Sequence, residues 1–288
     1  MNRDRVDPAP APGNTEPMSL DKTPGSIGPL VRSWRAAKGK SQLDLAIEAG
    51  ISSRHLSFVE TGRANPSREM VLMLAEALGV PLRERNAWLE AAGFAAVYRE
   101  TPLDAPAMDD VRGALTHILE AHVPNPALVV NRRYDLLMAN GPAQRLVAFF
   151  APEWRGPSNI LCMLLGADGL RPAVENWKEI AGHVVHRVRG ELSSAPRDPA
   201  DEAILAQAIA AEGELSRPRP PGDRSPQIVV PIKLRRGRVA LDLFTTITTL
   251  GTPLDITLQE LRIETLFPVN GAARAALRTV VDGTQAAS

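Results

Sequence analysis

Apolar residues between Ile27 and Ala92 recur at helical spacing, and Gly or Pro interrupts them about every ten residues. Because Gly and Pro are poor residues in helix interiors and favourable in turns, each interruption predicts the end of a helix. The interruptions fall at Gly39, Gly50, Gly62 with Pro66, Gly79 with Pro81, and Gly93. The pattern therefore predicts five short helices in an all-α N-terminal domain.

Residues 41–60 predict two of these helices, joined by a tight turn. Ser41 with Asp44 three residues later predicts a capping-box-like start of the first helix, and Gly50 tolerates the positive φ that a turn can require. The apolar positions on both sides of the turn are Leu45, Ala46, Ala49, Ile51, Leu56 and Val59. The two helices are expected to share a core, which leaves an outward face on the second helix.

Residues 27 to about 80 resemble the helix-turn-helix domains of phage repressors, Cro and the xenobiotic-response-element class of bacterial regulators. The residues that carry the resemblance are Gln42, Leu45, Ala46, Gly50, Ile51, Leu56, Val59, Glu60, Gly62, Pro66 and Ser67. The resemblance implies that the second helix lies in the major groove of DNA while the first crosses the backbone.

By position, the resemblance assigns five residues to the surface that faces DNA: Ser52, Ser53, Arg54, Ser57 and Phe58. Arg54 is suited to a bidentate contact with guanine, and Phe58 to a thymine methyl group. Gln42 is expected to anchor a phosphate at a helix N-terminus, and Asn65 and Arg68 to extend the contact with the DNA backbone.

The resemblance places Arg35 and Glu60 as a structural ion pair, not as base contacts. Three plainer readings stay open at this point. The first is a helical module that binds a protein instead of DNA, the second is Ser53 as only the cap of its helix, and the third is Phe58 packed under the following loop.

The charge of the chain is informative only locally. Lys and Arg number 33, as do Asp and Glu, so the formal net charge is zero and nominates no partner. Residues 27–70, however, hold seven Lys or Arg against four Asp or Glu, a net charge of +3. This local excess is compatible with a DNA partner.

Beyond a polar segment with two prolines at residues 98–106, the pattern changes to mixed helix and strand. The predicted elements are a helix at 108–122, a hairpin with its tip at Asn131-Arg132-Arg133, helices at 173–190 and 200–212, a loop at 216–226, and strands at 228–234, 238–250 and 261–269. The last three strands are β-branched and turn-linked. They are expected to be antiparallel, central and long.

Residues 107–280 resemble the ligand-binding domain of the MmyB-like transcription regulators. The resemblance rests on Asn140, Asn159-Ile160-Leu161, Trp177 and Asp198-Pro199. It implies an α+β, PAS-like domain, with helices packed on an antiparallel sheet, that holds a small apolar or fatty-acid-like molecule. The candidate pocket residues, each of which is alternatively ordinary core, are Phe149, Phe150, Trp177, Val184, Val188 and Phe244.

No catalytic or cofactor pattern is found. His183 and His186 have a spacing that two metal ligands can use, but Arg187 and Arg189 flank them and no third ligand stands at a recognisable spacing. The single cysteine, Cys162, lies in an apolar run, is expected to be buried, and excludes an intrachain disulfide. We therefore expect no metal, no cofactor and no enzyme activity.

The sequence predicts a multidomain chain: a disordered tail (1–24), a helix-turn-helix domain (25–93), a linker (94–106), a PAS-like domain (107–280) and a disordered C-terminus (281–288). The predicted function is a sequence-specific DNA-binding transcription regulator that senses a small apolar molecule. The alternative is a regulator whose C-terminal domain is a ligand-free protein-interaction or dimerisation module. Without a signal peptide or an apolar run of membrane length, we expect a cytoplasmic homodimer on a double-stranded DNA operator.

Overall fold

The computed structural model describes residues 27–193, 199–211 and 230–283. An all-helical N-terminal domain is followed by an α+β domain with a five-stranded antiparallel sheet, as expected. The tail at 1–24, the loop at 216–226, and residues 228, 229 and 284–288 lie outside the described residues. The last helix extends to Val281, which is buried, so it continues past the predicted end of the domain at residue 280.

Five helices form the N-terminal domain, and the prediction of five is confirmed: α1 (Gly28–Ala37), α2 (Gln42–Glu48), α3 (Ser53–Glu60), α4 (Arg68–Ala77) and α5 (Leu82–Ala91). The Ser41 hydroxyl accepts from the Asp44 amide at 3.1 Å, while the Ser41 amide donates to the Asp44 carboxylate at 2.9 Å. This is the predicted capping box. Gly50 has a φ of +65° in the turn before α3.

The core of this domain is built from the apolar positions that the sequence pattern selected. Leu45, Ala46, Ala49, Leu56 and Val59 are buried together with side chains from α1, α4 and α5. Ile51 is only partly buried and packs at the edge of this cluster. The shared core fixes the angle between α2 and α3, which determines the direction of the exposed face of α3.

The C-terminal domain contains further helices and five strands. They are α6 (Asp109–Ala121), preceded by a 3₁₀ turn at Pro106–Met108, then β1 (Ala127–Val130), β2 (Leu136–Ala139), α7 (Gly141–Phe150), α8 (Ile160–Leu165), α9 (Trp177–Ser193), α10 (Pro199–Ala211), β3 (Ile232–Arg236), β4 (Val239–Thr248), α11 (Ile256–Glu260), β5 (Arg262–Pro268) and α12 (Gly271–Val281). The predicted hairpin, formed by β1 and β2, is confirmed.

The strand order is β2-β1-β5-β4-β3, and every neighbouring pair is antiparallel. The prediction of three antiparallel strands is confirmed, but β3 is a short strand at the edge of the described sheet, not a central one. The sequence also missed α11, which Asp255 starts by accepting from the Thr257 amide at 2.9 Å. A helix of five residues is too short to show a helical apolar period.

The helix predicted over 173–190 begins only at Trp177. Before it, Val174 forms a bridge with Leu234 of β3, and the Glu175 amide donates to the Lys233 carbonyl at 2.8 Å. The Asn176 side chain holds the same edge, because its amide donates to the Pro231 carbonyl at 2.9 Å. Pairing with the sheet edge therefore satisfies the backbone that the apolar period had assigned to a helix.

Helices cover both faces of the sheet. On one face Leu115 and Leu119 of α6 pack against Val129 and Ile263. On the other face α7, α8 and α9 cover β1, β3, β4 and β5, with a cavity between them.

The two domains meet where α5 contacts α11. The Leu82 amide donates to Gln259 Oε1 at 2.6 Å, and Arg83 Nε donates to Glu260 Oε1 at 2.7 Å. Next to this contact, the Thr101 hydroxyl donates to the Asp255 carboxylate at 2.7 Å. The segment predicted as a linker therefore lies against the C-terminal domain.

Gly28→Ala tests the close contact between α1 and α3. A Cβ at residue 28 would lie 2.6 Å from the Val59 carbonyl oxygen and 2.7 Å from that of Glu60, so backbone must move. We expect a loss of about 1–3 kcal/mol in the free energy of unfolding, measured by urea denaturation. Gly113→Ala in α6 is the control, because a Cβ there has no neighbour within 4 Å and should stabilise the chain slightly. Equal effects of the two changes would contradict this packing.

Candidate nucleic-acid interface and ligand cavity

The outward face of α3 is polar and accessible. Ser52, Ser53 and Arg54 are exposed, while Ser57 and Phe58 are half-buried. Ser52 is the residue that caps α3, because its hydroxyl accepts from the His55 amide at 3.2 Å. Ser52, not Ser53, is therefore the N-cap of α3, and the Ser53 side chain begins the exposed face.

Arg54 and Phe58, one helical turn apart, form a single contact surface. The Arg54 guanidinium carbon lies 5.5 Å from the centroid of the Phe58 ring, a cation–π distance. Within the described residues Arg54 has no salt-bridge partner. An exposed guanidinium without an acidic partner keeps its donors available for an external acceptor.

A buried ion pair joins α1 to the C-terminal end of α3. Arg35 of α1 donates through Nε to Glu60 Oε1 at 2.6 Å and through Nη2 to Glu60 Oε2 at 3.1 Å. The Glu60 side chain is fully buried. The structure thus pairs Arg35 with Glu60, the two residues that the resemblance put together.

Gln42 belongs to the same network. Its side-chain amide donates to Glu60 Oε2 at 2.7 Å, so this donor is already used inside the domain. The expectation that the Gln42 side chain anchors a phosphate needs this correction: a buried carboxylate with several acceptor sites captures the nearest donors. The half-buried Gln42 side chain thus ties the start of α2 to the end of α3.

These contacts set the pKa of Glu60. Burial acts to raise it, but the hydrogen bonds from Arg35 and Gln42 outweigh burial and hold the pKa of Glu60 below its ordinary value. The hydrogen bond to Glu60 in turn raises the pKa of Arg35. Both groups are therefore charged at neutral pH.

Asn65 and Arg68 are both exposed, Asn65 in the loop after α3 and Arg68 at the start of α4. Of the nearby cations, Lys40 is paired with Glu48 and Arg35 with Glu60. Arg54 and Arg68 have no such pairing within residues 27–193, 199–211 and 230–283. Lys38 at the end of α1 and Arg63 in the loop after α3 also have no salt bridge in the described ranges, so the unpaired cations extend from the end of α1 to the start of α4.

A cavity of about 270 Å³ lies between the sheet and the helices α7, α8 and α9. Its walls are mainly aliphatic and come from both layers: Leu128, Ala143, Leu146, Val147, Ile160, Met163, Leu164, Ile180, Val184, Ile232, Leu243, Ile247 and Leu266. Four polar side chains, His183, Arg187, Thr245 and Glu264, also contribute to the lining. Such a cavity suits an apolar molecule with a small polar part.

The predicted pocket residues need correction. Only Val184 lines this cavity. Phe150 and Trp177 are buried in the neighbouring core, where Phe149 packs, and Val188 belongs to a separate cluster under α10. Phe244 stacks on Phe267 at 5.5 Å, on the opposite face of the sheet from Leu243. Large aromatic side chains fill the core, and smaller aliphatic ones leave the open space.

Sequence reasoning missed Glu264, and treated Arg187 only as a neighbour of two histidines. A signal was present, since alternation in β5 puts Arg262, Glu264 and Leu266 on one face of a strand between two others. A buried strand face rarely carries charge without a partner or a function.

The two histidines separate in the structure: His183 lines the cavity and His186 is exposed. Cys162 is half-buried, not fully buried, and donates to Gln207 Oε1 at 3.2 Å. Within the described ranges no three His, Cys, Asp or Glu side chains form a group that suits a metal ion. None of the helices in those ranges is long and apolar enough to span a bilayer.

Two family models match the chain. The MmyB-like transcription regulator ligand binding domain matches residues 111–280, which is more than half of the chain. The chain belongs to the MmyB-like transcription regulators. A helix-turn-helix family matches residues 31–85, the segment that contains α2 and α3. Together the matches identify a helix-turn-helix regulator with an MmyB-like domain, not an enzyme.

Two individual relatives each match a limited share of the chain. The endothelial differentiation-related factor 1 homolog of Gallus gallus is 29% identical over 72 residues, which are 25% of this chain and 49% of that protein. The chain thus spans about half the length of this relative. The crystal structure of the clp gene regulator ClgR from Corynebacterium glutamicum is 29% identical and covers 35% of this chain and 94% of its own, with a TM-score of 0.22.

Arg35→Met tests the buried ion pair of the MmyB-like regulator. The change leaves the Glu60 carboxylate buried without its main partner, so we expect a loss of about 3–5 kcal/mol at neutral pH, measured by urea denaturation. Removing both charges, in Arg35→Met with Glu60→Gln, should restore much of this loss. If the double variant is no more stable than the single one, the pair does not hold α3 as described.

The pH dependence of the free energy of unfolding is a second test of the Arg35–Glu60 pair. The folded pKa of Glu60 is lowered, so its contribution is present above the unfolded value of about 4.3 and is lost as pH falls through the folded pKa. Arg35→Met removes the largest lowering cause while burial remains, so we expect the pKa of Glu60 to be higher in the variant than in the wild type. The stability difference between wild type and variant should therefore shrink as pH falls towards 4.

Proposed function

We propose that this chain is a DNA-binding transcription regulator in which α3 enters the major groove and reads bases through Arg54 and Phe58. The observation that carries this proposal is an exposed face on a short helix whose end is fixed by a buried ion pair; the Arg54 guanidinium near its N-terminal end has no acidic partner in the described part of the chain. Ser53 and Ser57 lie beside it. Asn65, Arg68 and the backbone at Gln42 contact phosphates and set the register of α3.

The regulator acts as a homodimer. One helix of eight residues contacts only a few base pairs, and helix-turn-helix dimers place two such helices in half-sites one turn of DNA apart, about 34 Å. The operator is then a pseudo-palindrome whose half-site spacing follows the symmetry of the dimer.

The MmyB-like domain senses a small molecule with a long apolar part, of the fatty-acid-like kind. The cavity of about 270 Å³ with mainly aliphatic walls supports this. An apolar chain in such a cavity is stabilised by about 25 cal/mol for each Å² of apolar surface removed from water.

The ligand changes DNA affinity only to the extent that it binds two conformations of the chain with different affinity, typically about 1–3 kcal/mol of coupling. A set of contacts connects the helices around the cavity to α5 of the helix-turn-helix domain. Arg83 of α5 pairs with Glu260 of α11, whose carboxylate lies 3.7 Å from Arg132, and Arg132 pairs with Asp201 of α10. Because α10 packs on α9, which lines the cavity, a shift of these helices reaches α5.

Arg54→Ala tests base reading, with Arg68→Ala as the matched control. Sites are first enriched from random DNA with the wild-type chain, and affinities are then measured for an enriched and a random duplex. We expect Arg54→Ala to lose about 1–3 kcal/mol on the enriched site and little on random DNA. Arg68→Ala should weaken both equally and lower the salt dependence by about one counterion.

Equal losses for both variants on both duplexes would mean that Arg54 contacts the backbone, not a base. Failure of the wild-type chain to enrich any sequence would contradict DNA reading altogether and favour a protein-binding helical module.

Extraction tests ligand sensing. The native full chain is purified, extracted with organic solvent and analysed by mass spectrometry, with a variant whose cavity is filled, Val147→Phe, as the control. We expect an amphipathic molecule at about one per chain from the wild type and markedly less from the variant. Clean extracts from both would contradict a tightly held ligand and favour a C-terminal domain that contacts protein only.

A further inference from the structure

The cavity in the MmyB-like domain is polar at one end only. His183 and Arg187 lie one turn apart on α9, Arg187 lies 3.9 Å from Glu264 of β5, and Thr245 is on the same face of the neighbouring strand β4. The remaining walls are almost wholly apolar. Two of these polar side chains, Arg187 and Glu264, are of charged types, and the Glu264 side chain is 12% exposed while that of Arg187 is 34% exposed.

Glu264 lies in the middle of the sheet. Its strand pairs with β1 on one side and β4 on the other, and it stands directly opposite Leu128 and Ile247, which also line the cavity. The residue is 9% exposed, and its Oε1 has no hydrogen-bond partner in the described residues. A buried acceptor left in this way carries the full cost of its desolvation.

Arg187 supplies the matching donor. Its Nη2 is 3.9 Å from Glu264 Oε1, too far for a hydrogen bond, and its buried Nε also has no acceptor in the described residues. The guanidinium lies over the Tyr134 ring at 5.6 Å, which holds it in place. A donor and an acceptor are thus buried together beside an open space.

The other charges nearby already have a partner. Arg262 forms an ion pair with Glu191 at 2.9 Å and lies 5.6 Å from the Tyr134 ring, although Arg262 Nη1 and Glu191 Oε2 also lack a hydrogen bond of good geometry within the described residues. Neither of these two residues lines the cavity, so Arg187 and Glu264 are the charged groups that the described part of the chain makes available to a molecule in it.

We propose that Arg187 and Glu264 form a head-group site, which selects an apolar chain that ends in one oxygen-bearing group, either a hydroxyl or a carboxyl. This proposal rests on the proposed function, in which the cavity holds a small molecule. The head-group oxygen accepts from Arg187, and a hydrogen is shared between the head group and the Glu264 carboxyl. The aliphatic walls hold the chain.

The two head groups differ in one proton. A hydroxyl brings its own hydrogen to an ionised Glu264, whereas an ionised carboxylate needs Glu264 to be protonated. Burial raises the pKa of Glu264, despite the nearby Arg187 and Arg262, which lower it. Glu191, which raises it, Tyr134 and His183 complete the set of titratable groups around this end.

The test measures dissociation constants of the full chain for 1-octanol and octanoate between pH 6 and 8. Arg187→Met keeps most of the side-chain volume but removes the donors, and we expect it to weaken both probes roughly tenfold or more. Val147→Ala, on the apolar wall, is the control and should weaken both probes by the same smaller factor. Unchanged or tighter binding of both probes to Arg187→Met would overturn the head-group site.

Glu264→Gln distinguishes a hydroxyl from a carboxyl head group, and it is the second test variant if Arg187→Met does not fold. If octanoate is the matching class, its binding to the wild type strengthens as pH falls, and Glu264→Gln removes that dependence. If octanol is the matching class, it binds the wild type more tightly at pH 8, and Glu264→Gln abolishes the preference. Octanol has no acidic group of its own, so the pH dependence of its binding also reports any effect of His183. A variant with wild-type affinities and pH profiles for both probes would overturn the proposal.

Failure of the proposed sensor function would give a different result from failure of the head-group site alone. The wild type and Val147→Ala would then bind neither probe, and native protein would yield no extracted molecule. That result overturns the head-group site together with the sensor, whereas tight wild-type binding with no effect of the variants overturns the head-group site alone.

Discussion

The contact between Arg83 and Glu260 carries the connection between the two halves of the chain. Arg83 also pairs with Glu100 of the intervening segment, so one guanidinium holds two carboxylates and three parts of the sequence. Burial alone would lower its pKa, but Glu260 and Glu100 raise it, so the charge is retained at the junction. Because Arg83 and Glu260 are only about a fifth exposed, their ion pair, together with the hydrogen bond from the Leu82 amide to Gln259, favours a fixed arrangement of α5 on α11.

Three glutamates, of which Glu60 and Glu264 are buried and Glu260 is partly buried, show how its partners decide what a carboxylate does. Glu60 receives hydrogen bonds from Arg35 and Gln42, and its pKa is lowered, so it serves as a permanent anion that holds α3. Glu260 is held by Arg83 at the junction. Glu264 faces Arg187 at 3.9 Å without a hydrogen bond, and its pKa is raised. The first two carboxylates stabilise the fold, whereas Glu264 keeps an oxygen that can form a hydrogen bond with a ligand.

The helix-turn-helix domain was largely predictable because its constraints are local. Gly50, the Ser41 capping box and the apolar period over residues 45–59 each determine the conformation of the nearest few residues. The positions of the sheet strands were also predictable from β-branched runs. What failed depended on distant contacts: β3 is an edge strand, α9 starts late because Val174 pairs with Leu234, and the Gln42 amide is captured by Glu60 from another helix.

The cavity was the least predictable part. Its walls combine residues from seven elements, so no single stretch of sequence marks it. Choosing aromatic residues such as Phe150 and Trp177 assumed that large side chains mark a pocket, whereas they fill the core. The strand position of Glu264 was the informative feature, but its meaning depends on which face of the sheet α9 covers.

The central claim is that occupancy of the cavity changes DNA affinity. The most direct measurement compares the affinity of the full chain for its enriched DNA site in three states: as purified, stripped of small molecules, and stripped with the native extract restored. The account predicts that stripping changes the affinity about 5- to 150-fold, in either direction, and that the extract reverses the change. Identical affinity in all three states would contradict a sensor coupled to the DNA-reading helix.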